Sequence, residues 1–258
     1  MSRLFVPITE KKFWNKRWCN DNLSYRVNLR WLRTYLYYRI DKVFSRDLCV
    51  QPGDSFFEVG CAGGKWLVYF SKVFGCRVSG IDYSDRGVLR ALQTLRLAKI
   101  QAELVSGDVF RVEPAPIHDI VLSDGFLEHF DHPLGVLEHI AHYVKKGGYL
   151  ITIIPNLTGF QRFLIYMFGH SRRIFWTHTP LCKSDLMAAY RALGFNEIHF
   201  HEVGSIIPKT FSITGFGSKI LNGILRVAYL VGITLEGEKL SNTYVIWGRN
   251  HDERQISG

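Results

Sequence analysis

The sequence predicts an α/β fold built as a doubly wound sheet with helices on both faces. Three observations carry that prediction: short apolar runs alternate with helix-length periodic segments between residues 55 and 155, a glycine-rich turn follows the first run, and acidic residues stand at the ends of later ones. Alternation at this spacing is what parallel βαβ units require, since each crossover helix must return the chain to the same end of the sheet.

Residues 9–50 mix aromatic and basic side chains at helix-like spacing, with Trp31, Leu32, Tyr35, Leu36, Ile40 and Val43 able to share one face. They read as an N-terminal helical extension over residues 1–50, packed on a core domain spanning 51–250. Pro52-Gly53-Asp54 makes a turn, and Ser55 to Val59 is the first strand. Further strands are expected near 77–81, 101–106, 118–123 and 148–154, with helices near 64–74, 85–98 and 133–144. Lys145-Lys146-Gly147-Gly148 is expected to form the basic last turn and glycine stop of the third of these helices. A helix near 183–192 and strands near 195–202 and 243–248 follow, set apart by inserts at about 156–180 and 204–241, and residues 251–258 are expected to fray.

The net charge of +9 is unevenly placed: residues 1–52 carry +7, residues 53–158 carry −2 and residues 159–258 carry +4. A basic exterior around a slightly acidic centre suits phosphate-bearing substrates, nucleic acid or an anionic membrane surface, and equally an ordinary solvated surface. Five scattered cysteines without a CxxC pair argue against a disulfide framework and a thiolate zinc site, and fit a reducing cytoplasm. No signal peptide is expected from the charged N-terminus. The apolar stretch Ile220 to Leu235 is broken by Asn222 and Arg226 and is too short to span a membrane.

Chemistry is concentrated in Glu58-Val59-Gly60-Cys61-Ala62-Gly63-Gly64, where a strand hands over to a helix. Small residues there let backbone approach a ligand closely, and the helix N-terminus offers free amides. A dinucleotide fingerprint would need glycine where Lys65 stands, and a phosphate loop would need glycine at Val59 and a hydroxyl at Trp66. Asp82 ends the second strand, 22 positions after Gly60, where a carboxylate can accept from two ribose hydroxyls; Ser84 and Asp85 are left to cap the next helix. Ser106-Gly107-Asp108-Val109 ends the third strand, and Ser123-Asp124-Gly125-Phe126-Leu127-Glu128-His129 leaves the fourth at the carboxyl end where such sheets bind ligands.

These marks in this order resemble class I S-adenosylmethionine-dependent methyltransferases. The resemblance is strong over residues 50–155 and weaker from residue 183 onward. It implies a Rossmann-like sheet of seven strands, mostly parallel with an antiparallel last strand, and S-adenosyl-L-methionine as cofactor, with S-adenosyl-L-homocysteine as product. It assigns Glu58, Gly60, Cys61, Ala62, Gly64, Asp82, Tyr83, Asp108, Val109 and Asp124 to cofactor binding, with Ala62 standing for a glycine usual in the family. Asp108 and Val109 would meet the adenine. Phe13 to Trp18 resembles the aromatic-basic opening that small-molecule members fold over the cofactor, which places Trp14 on the list; a helix fastened to the core by its tryptophans reads the same residues equally well.

Glu128-His129 resembles the region after the fourth strand of ubiquinone-type O-methyltransferases, where an E-x-x-E-H run can hold a divalent metal. Gly125 occupies the first glutamate's position, with Asp124 one residue earlier, so no metal is expected. His129 is then the leading candidate for a base acting on an acceptor hydroxyl, with His132 and His178 in reserve. The acceptor side is expected from the N-terminal helices and the two inserts; Phe160 to Phe168 with Arg162, Arg172 and Arg173 reads as a core face or as a lipid-facing helix. The acceptor expected is a small-molecule, lipid-linked or glycan hydroxyl, in the cytoplasm or peripherally at a membrane. An RNA or protein methyltransferase is the first alternative, favoured by the pI near 9.3 but lacking a basic run interleaved with aromatics. A non-catalytic methyltransferase-like subunit is the second.

Overall fold

In a computed structural model, the described residues are 6–18, 27–29, 35–158, 162, 177–204, 241 and 243–250. Most of both inserts, Trp31, Leu32, the Tyr35 side chain and the C-terminal tail lie outside them. So does nearly all of the Phe160 to Phe175 stretch, including Arg172 and Arg173.

Seven strands form one sheet: β1 (Ser55–Val59), β2 (Arg77–Asp82), β3 (Ala102–Ser106), β4 (His118–Asp124), β5 (Val144–Pro155), β6 (Phe195–Val203) and β7 (Thr243–Asn250). Their order is β3-β2-β1-β4-β5-β7-β6. β1 to β5 run parallel, and β7 is antiparallel to both β5 and β6. The order reverses between β1 and β4, and a ligand crevice is expected at the carboxyl ends there.

Among the described residues six α-helices accompany the sheet: α1 (Lys11–Arg17), α2 (Tyr35–Asp47), α3 (Lys65–Phe74), α4 (Asp85–Ala98), α5 (Pro133–Ala141) and α6 (Lys183–Ala192). One core cluster joins Ile40 and Phe44 of α2 with Trp66, Tyr69 and Phe70 of α3 and Phe56 of β1. The other joins Val136, Leu137 and Ile140 of α5 with Tyr190 of α6 and Leu150 of β5. Apolar strands covered on both faces follow from this two-sided packing. No helix among the described residues is long and apolar enough to cross a membrane. Cys49, Cys61, Cys76 and Cys182 are free thiols.

One local expectation is corrected. Lys145 to Gly148 does not end α5, which stops at Ala141; it lies inside β5, where His118 pairs with Val144 but Ile120 pairs with Tyr149. The extra residues form a bulge. Gly147 takes φ +76°, and a Cβ on Gly148 would stand 2.8 Å from the Asp119 carbonyl oxygen, so these glycines serve close strand approach.

Candidate active site

The glycine turn is wedged between β2 and α4 by small residues on both sides. Gly60, Gly63 and Gly64 take φ of +83°, +74° and +69°, a region costly for side chains with a Cβ. The Gly60 and Cys61 amides both donate to the Ile81 carbonyl, at 2.8 and 3.2 Å, which fastens the turn to the end of β2. Cys61 fits because Gly80 has no side chain: a Cβ there would lie 2.8 Å from Cys61 Cβ. Ala62 fits because of Gly87, whose added Cβ would lie 2.6 Å from Ala62 Cβ.

Beyond this turn a cavity, partly open to solvent, lies at the carboxyl ends of β1, β2, β3 and β4. Of the residues assigned to the cofactor, Gly60, Ala62, Asp82, Tyr83, Asp108, Val109, Asp124 and Trp14 line it, as does His129. Glu58, Cys61 and Gly64 lie behind the wall: Glu58 is buried in β1, Cys61 sits beneath the turn, and Gly64 faces the Ala91 backbone. They shape the turn without reaching the cavity.

Asp82 is the half-buried carboxylate at the end of β2. Its Oδ2 accepts from the Ala62 amide at 3.0 Å and its Oδ1 from the Ser84 amide at 2.7 Å. Each oxygen keeps a lone pair for a further donor. Burial pushes this carboxyl up to about 6, against the opposing pull of the two amides and Lys11. Ser84 caps α4, its Oγ accepting from the Gly87 amide at 3.0 Å, while Asp85 instead pairs with Lys11 and Ser106. Asp108 Oδ1 accepts from the Phe110 amide at 3.2 Å and caps the turn that presents Val109.

Asp124 belongs to a network that the sequence does not advertise. Its Oδ2 accepts from Lys65 Nζ and from Trp66 Nε1, each at 2.7 Å, and Lys65 also donates to the Tyr37 hydroxyl at 2.9 Å. Burial works against the Lys65 ammonium, but the Asp124 and Tyr37 oxygens outweigh it and hold its pKa above the ordinary lysine value. The network ties α2, the start of α3 and the end of β4 into one wall.

His129 sits on a short turn, Leu127–His129, clamped from both sides. The Ile8 amide donates to the His129 carbonyl at 2.8 Å, and the Thr179 amide donates to the Glu128 carbonyl at 2.6 Å. His129 Nδ1 stands 2.9 Å from the Thr177 carbonyl oxygen, so it is the donor and Nε2 is left as an acceptor. Burial, the neighbouring His178 and Arg17 lower the imidazole to about 4 against that hydrogen bond, so the ring is neutral. His132, by contrast, is largely exposed beside Asp131 and lies outside the cavity.

Trp14 roofs the cavity, its ring edge-on to His129 with centroids 4.8 Å apart and its Nε1 donating to Thr9 Oγ1 at 2.9 Å. Phe126, Phe130, Phe110 and Trp18 complete an aromatic lining. Trp18 closes the Phe13 to Trp18 run read in the sequence; for the three phenylalanines the signal was position, just after strands that end at the crevice.

Glu128, His129 and His178 offer ligand atoms within 4.8 Å of one another. Burial, with Asp124 adding to it, pushes the Glu128 carboxyl up to about 8, so it is protonated at neutral pH. Two imidazoles and a protonated acid fit poorly the oxygen-rich set that a magnesium ion prefers, and no catalytic step is routed through a metal.

Among known proteins, the chain is 33% identical over 104 residues to a ubiquinone biosynthesis O-methyltransferase of Thiobacillus denitrificans, covering 38% of this chain and 43% of that protein. It is 24% identical over 161 residues to one of Aeromonas salmonicida, covering 57% and 67%. For the first of these the matched part is less than half of the relative's length. Among solved structures, geranyl diphosphate C-methyltransferase from Streptomyces coelicolor superposes with a TM-score of 0.63 at 13% identity, covering 95% of this chain and all of that one. Phosphoethanolamine N-methyltransferase 2 of Haemonchus contortus gives 0.61 at 14%, covering 95% and 60%. These two likenesses show the fold. A family model described as a methyltransferase domain matches residues 32–199, which takes in α2 to α6 and reaches into β6, and the chain belongs to that family, the class I S-adenosylmethionine-dependent methyltransferases.

Proposed function

We propose that the protein binds S-adenosylmethionine in this cavity and transfers its methyl group to a hydroxyl oxygen of a small, apolar acceptor. The carrying observation is Asp82: a half-buried carboxylate at the end of β2 that lines the cavity, braced by two amides, with a lone pair left on each oxygen. Two ribose hydroxyls supply the donors it lacks. Asp108 and Val109 then flank the adenine end, and the Gly60 to Ala62 backbone flanks the methionine end.

The donor's sulfonium carbon is already activated, so the methyl moves by direct displacement once the acceptor oxygen is in line. What this chain supplies is alignment and exclusion of water. Trp14 covers the site, and Phe126 and Phe130 offer apolar ring faces for the acceptor body. His129 Nε2 accepts the hydrogen bond of the acceptor hydroxyl and aims its oxygen lone pair. With its pKa near 4 the ring holds a proton weakly, so it orients and polarises the hydroxyl and passes the proton on to solvent. The curated relatives that the chain matches in part are O-methyltransferases, which supports oxygen as the acceptor atom.

Calorimetry with S-adenosylmethionine and S-adenosylhomocysteine tests the cofactor; no heat at millimolar ligand would overturn the reading. A labelled-methyl survey across small-molecule, lipid, glycan, RNA and protein fractions tests the acceptor, and label confined to RNA or protein would overturn it. His129→Ala is expected to lower turnover by about 100-fold while leaving cofactor affinity within about threefold, since it removes one orienting group. Trp14→Ala is expected to weaken cofactor binding about tenfold, the scale of one lost aromatic cover, read as a faster off-rate in stopped-flow fluorescence.

A further inference from the structure

On the β6 edge of the sheet, away from the cavity, three metal-ligating side chains converge that the proposed reaction does not use. His199 and His201 stand at alternate positions of β6 and therefore share a face. Asp47, the last residue of α2, meets them on that face, and the three offer ligand atoms all within 4.8 Å of one another. We propose that Asp47, His199 and His201 form a binding site for a borderline divalent transition ion of the zinc class, which would cross-link α2 to β6.

The donor set favours that ion. Two imidazole nitrogens and one carboxylate, with a position left for water, suit zinc, cobalt(II) or nickel(II), whereas magnesium and calcium call for more oxygens. His201 already meets the carboxylate: its Nε2 is buried 2.9 Å from Asp47 Oδ2, so two of the three ligand atoms stand close together. His199 is held against Trp247, its register partner on β7, with ring centroids 4.2 Å apart and planes 9° from parallel. That stacking fixes the plane of an otherwise exposed ring.

Ligand atoms on one tetrahedral ion stand about 3.4 Å apart, given bonds of about 2.0–2.2 Å. The remaining closure falls to His199, whose exposed ring can slide within the plane that the stacking on Trp247 fixes. Arg46 now donates to Asp47 through two nitrogens, but its side chain is 68% exposed, so it can turn to water when a cation arrives.

The test is titration of the whole protein with cobalt(II), followed by visible absorption and by thermal unfolding, with zinc added as competitor. One equivalent should bind, showing d–d bands without thiolate charge-transfer absorption, and zinc should displace it. His199→Ala and Asp47→Asn should each weaken binding at least 30-fold and abolish the metal-dependent rise in unfolding temperature. His178→Ala, which alters the other imidazole cluster, should change neither. His199 is exposed and its variant loses only the stacking on Trp247, so it should stay folded without metal, with an unfolding temperature lower by a few degrees at most, which keeps the result readable even if His201→Ala fails to fold. Absorption unchanged in His199→Ala, bands of thiolate origin, or no spectral change at millimolar cobalt would each overturn the proposal.

Discussion

Asp82→Ala should lose S-adenosylmethionine affinity by at least 100-fold. Hydrogen bonds to a charged acceptor are each worth about 1.5–3 kcal/mol, and the substitution removes both hydroxyl contacts together with the brace on the Ala62 amide, which lines the same cavity. Asp82→Asn should fall in between, since the amide keeps one acceptor. The wild-type protein should show the same dependence through pH. The carboxyl is raised to about 6, so it is ionised and able to accept from two hydroxyls above that value, and protonated below it. Cofactor affinity should therefore fall by up to tenfold per pH unit below about 6, and Asp82→Ala should lack that limb. For the cofactor-free protein the sign is opposite. Burying the charged form costs stability above pH 6, and the cost is relieved as pH falls through the folded value. Isothermal titrations at pH 5, 6, 7 and 8 check both variants; a pH-independent wild type would remove Asp82 from the ribose.

Gly87→Val should be the other large effect, although residue 87 touches no ligand. A Cβ at Gly87 meets Ala62 Cβ at 2.6 Å, Ser84 Cβ at 3.2 Å and Asp82 Oδ1 at 3.3 Å. All three neighbours belong to the cofactor wall or its support, and the clash is with backbone-fixed Cβ atoms that cannot rotate away. Either α4 shifts outward or the glycine turn rises into the cavity. Overpacking of this kind typically costs about 1–3 kcal/mol, and the displaced turn should lower cofactor affinity at least tenfold. Urea unfolding and calorimetry measure the two separately. Normal affinity in a destabilised variant would mean that the helix, not the turn, gives way.

Much of this site was legible because it rests on backbone demands. Left-handed turns need glycine, and an acidic residue at a strand end beside such a turn has few other uses, so Gly60, Ala62, Asp82 and Asp108 could be read in order. Glu58, Cys61 and Gly64 belong to the same run, but a linear motif cannot say which of its residues face the ligand and which pack beneath; the pleat of β1 and the proximity of Gly80 decide that. The partnership of Asp124 with Lys65 and Trp66 was not legible, because it depends on the first turn of α3 facing the end of β4 across 59 residues of sequence. His129 could be nominated from its type and position. Its neutral state and its tautomer could not, since they come from burial and from a carbonyl at Thr177. Lys145 to Gly148 misled because a basic turn followed by glycines is a helix stop in most settings, and only strand pairing turns it into a bulge.

The clamped turn carrying His129 bears on the order in which the molecule assembles. Its roof is joined by contacts of very long sequence separation, such as the Val6 amide to Asp131 Oδ1 across 125 residues. The sheet from β1 to β4 closes through much shorter loops. Long closures are entropically the slowest to reward, so the floor of the cavity should be native before its cover exists.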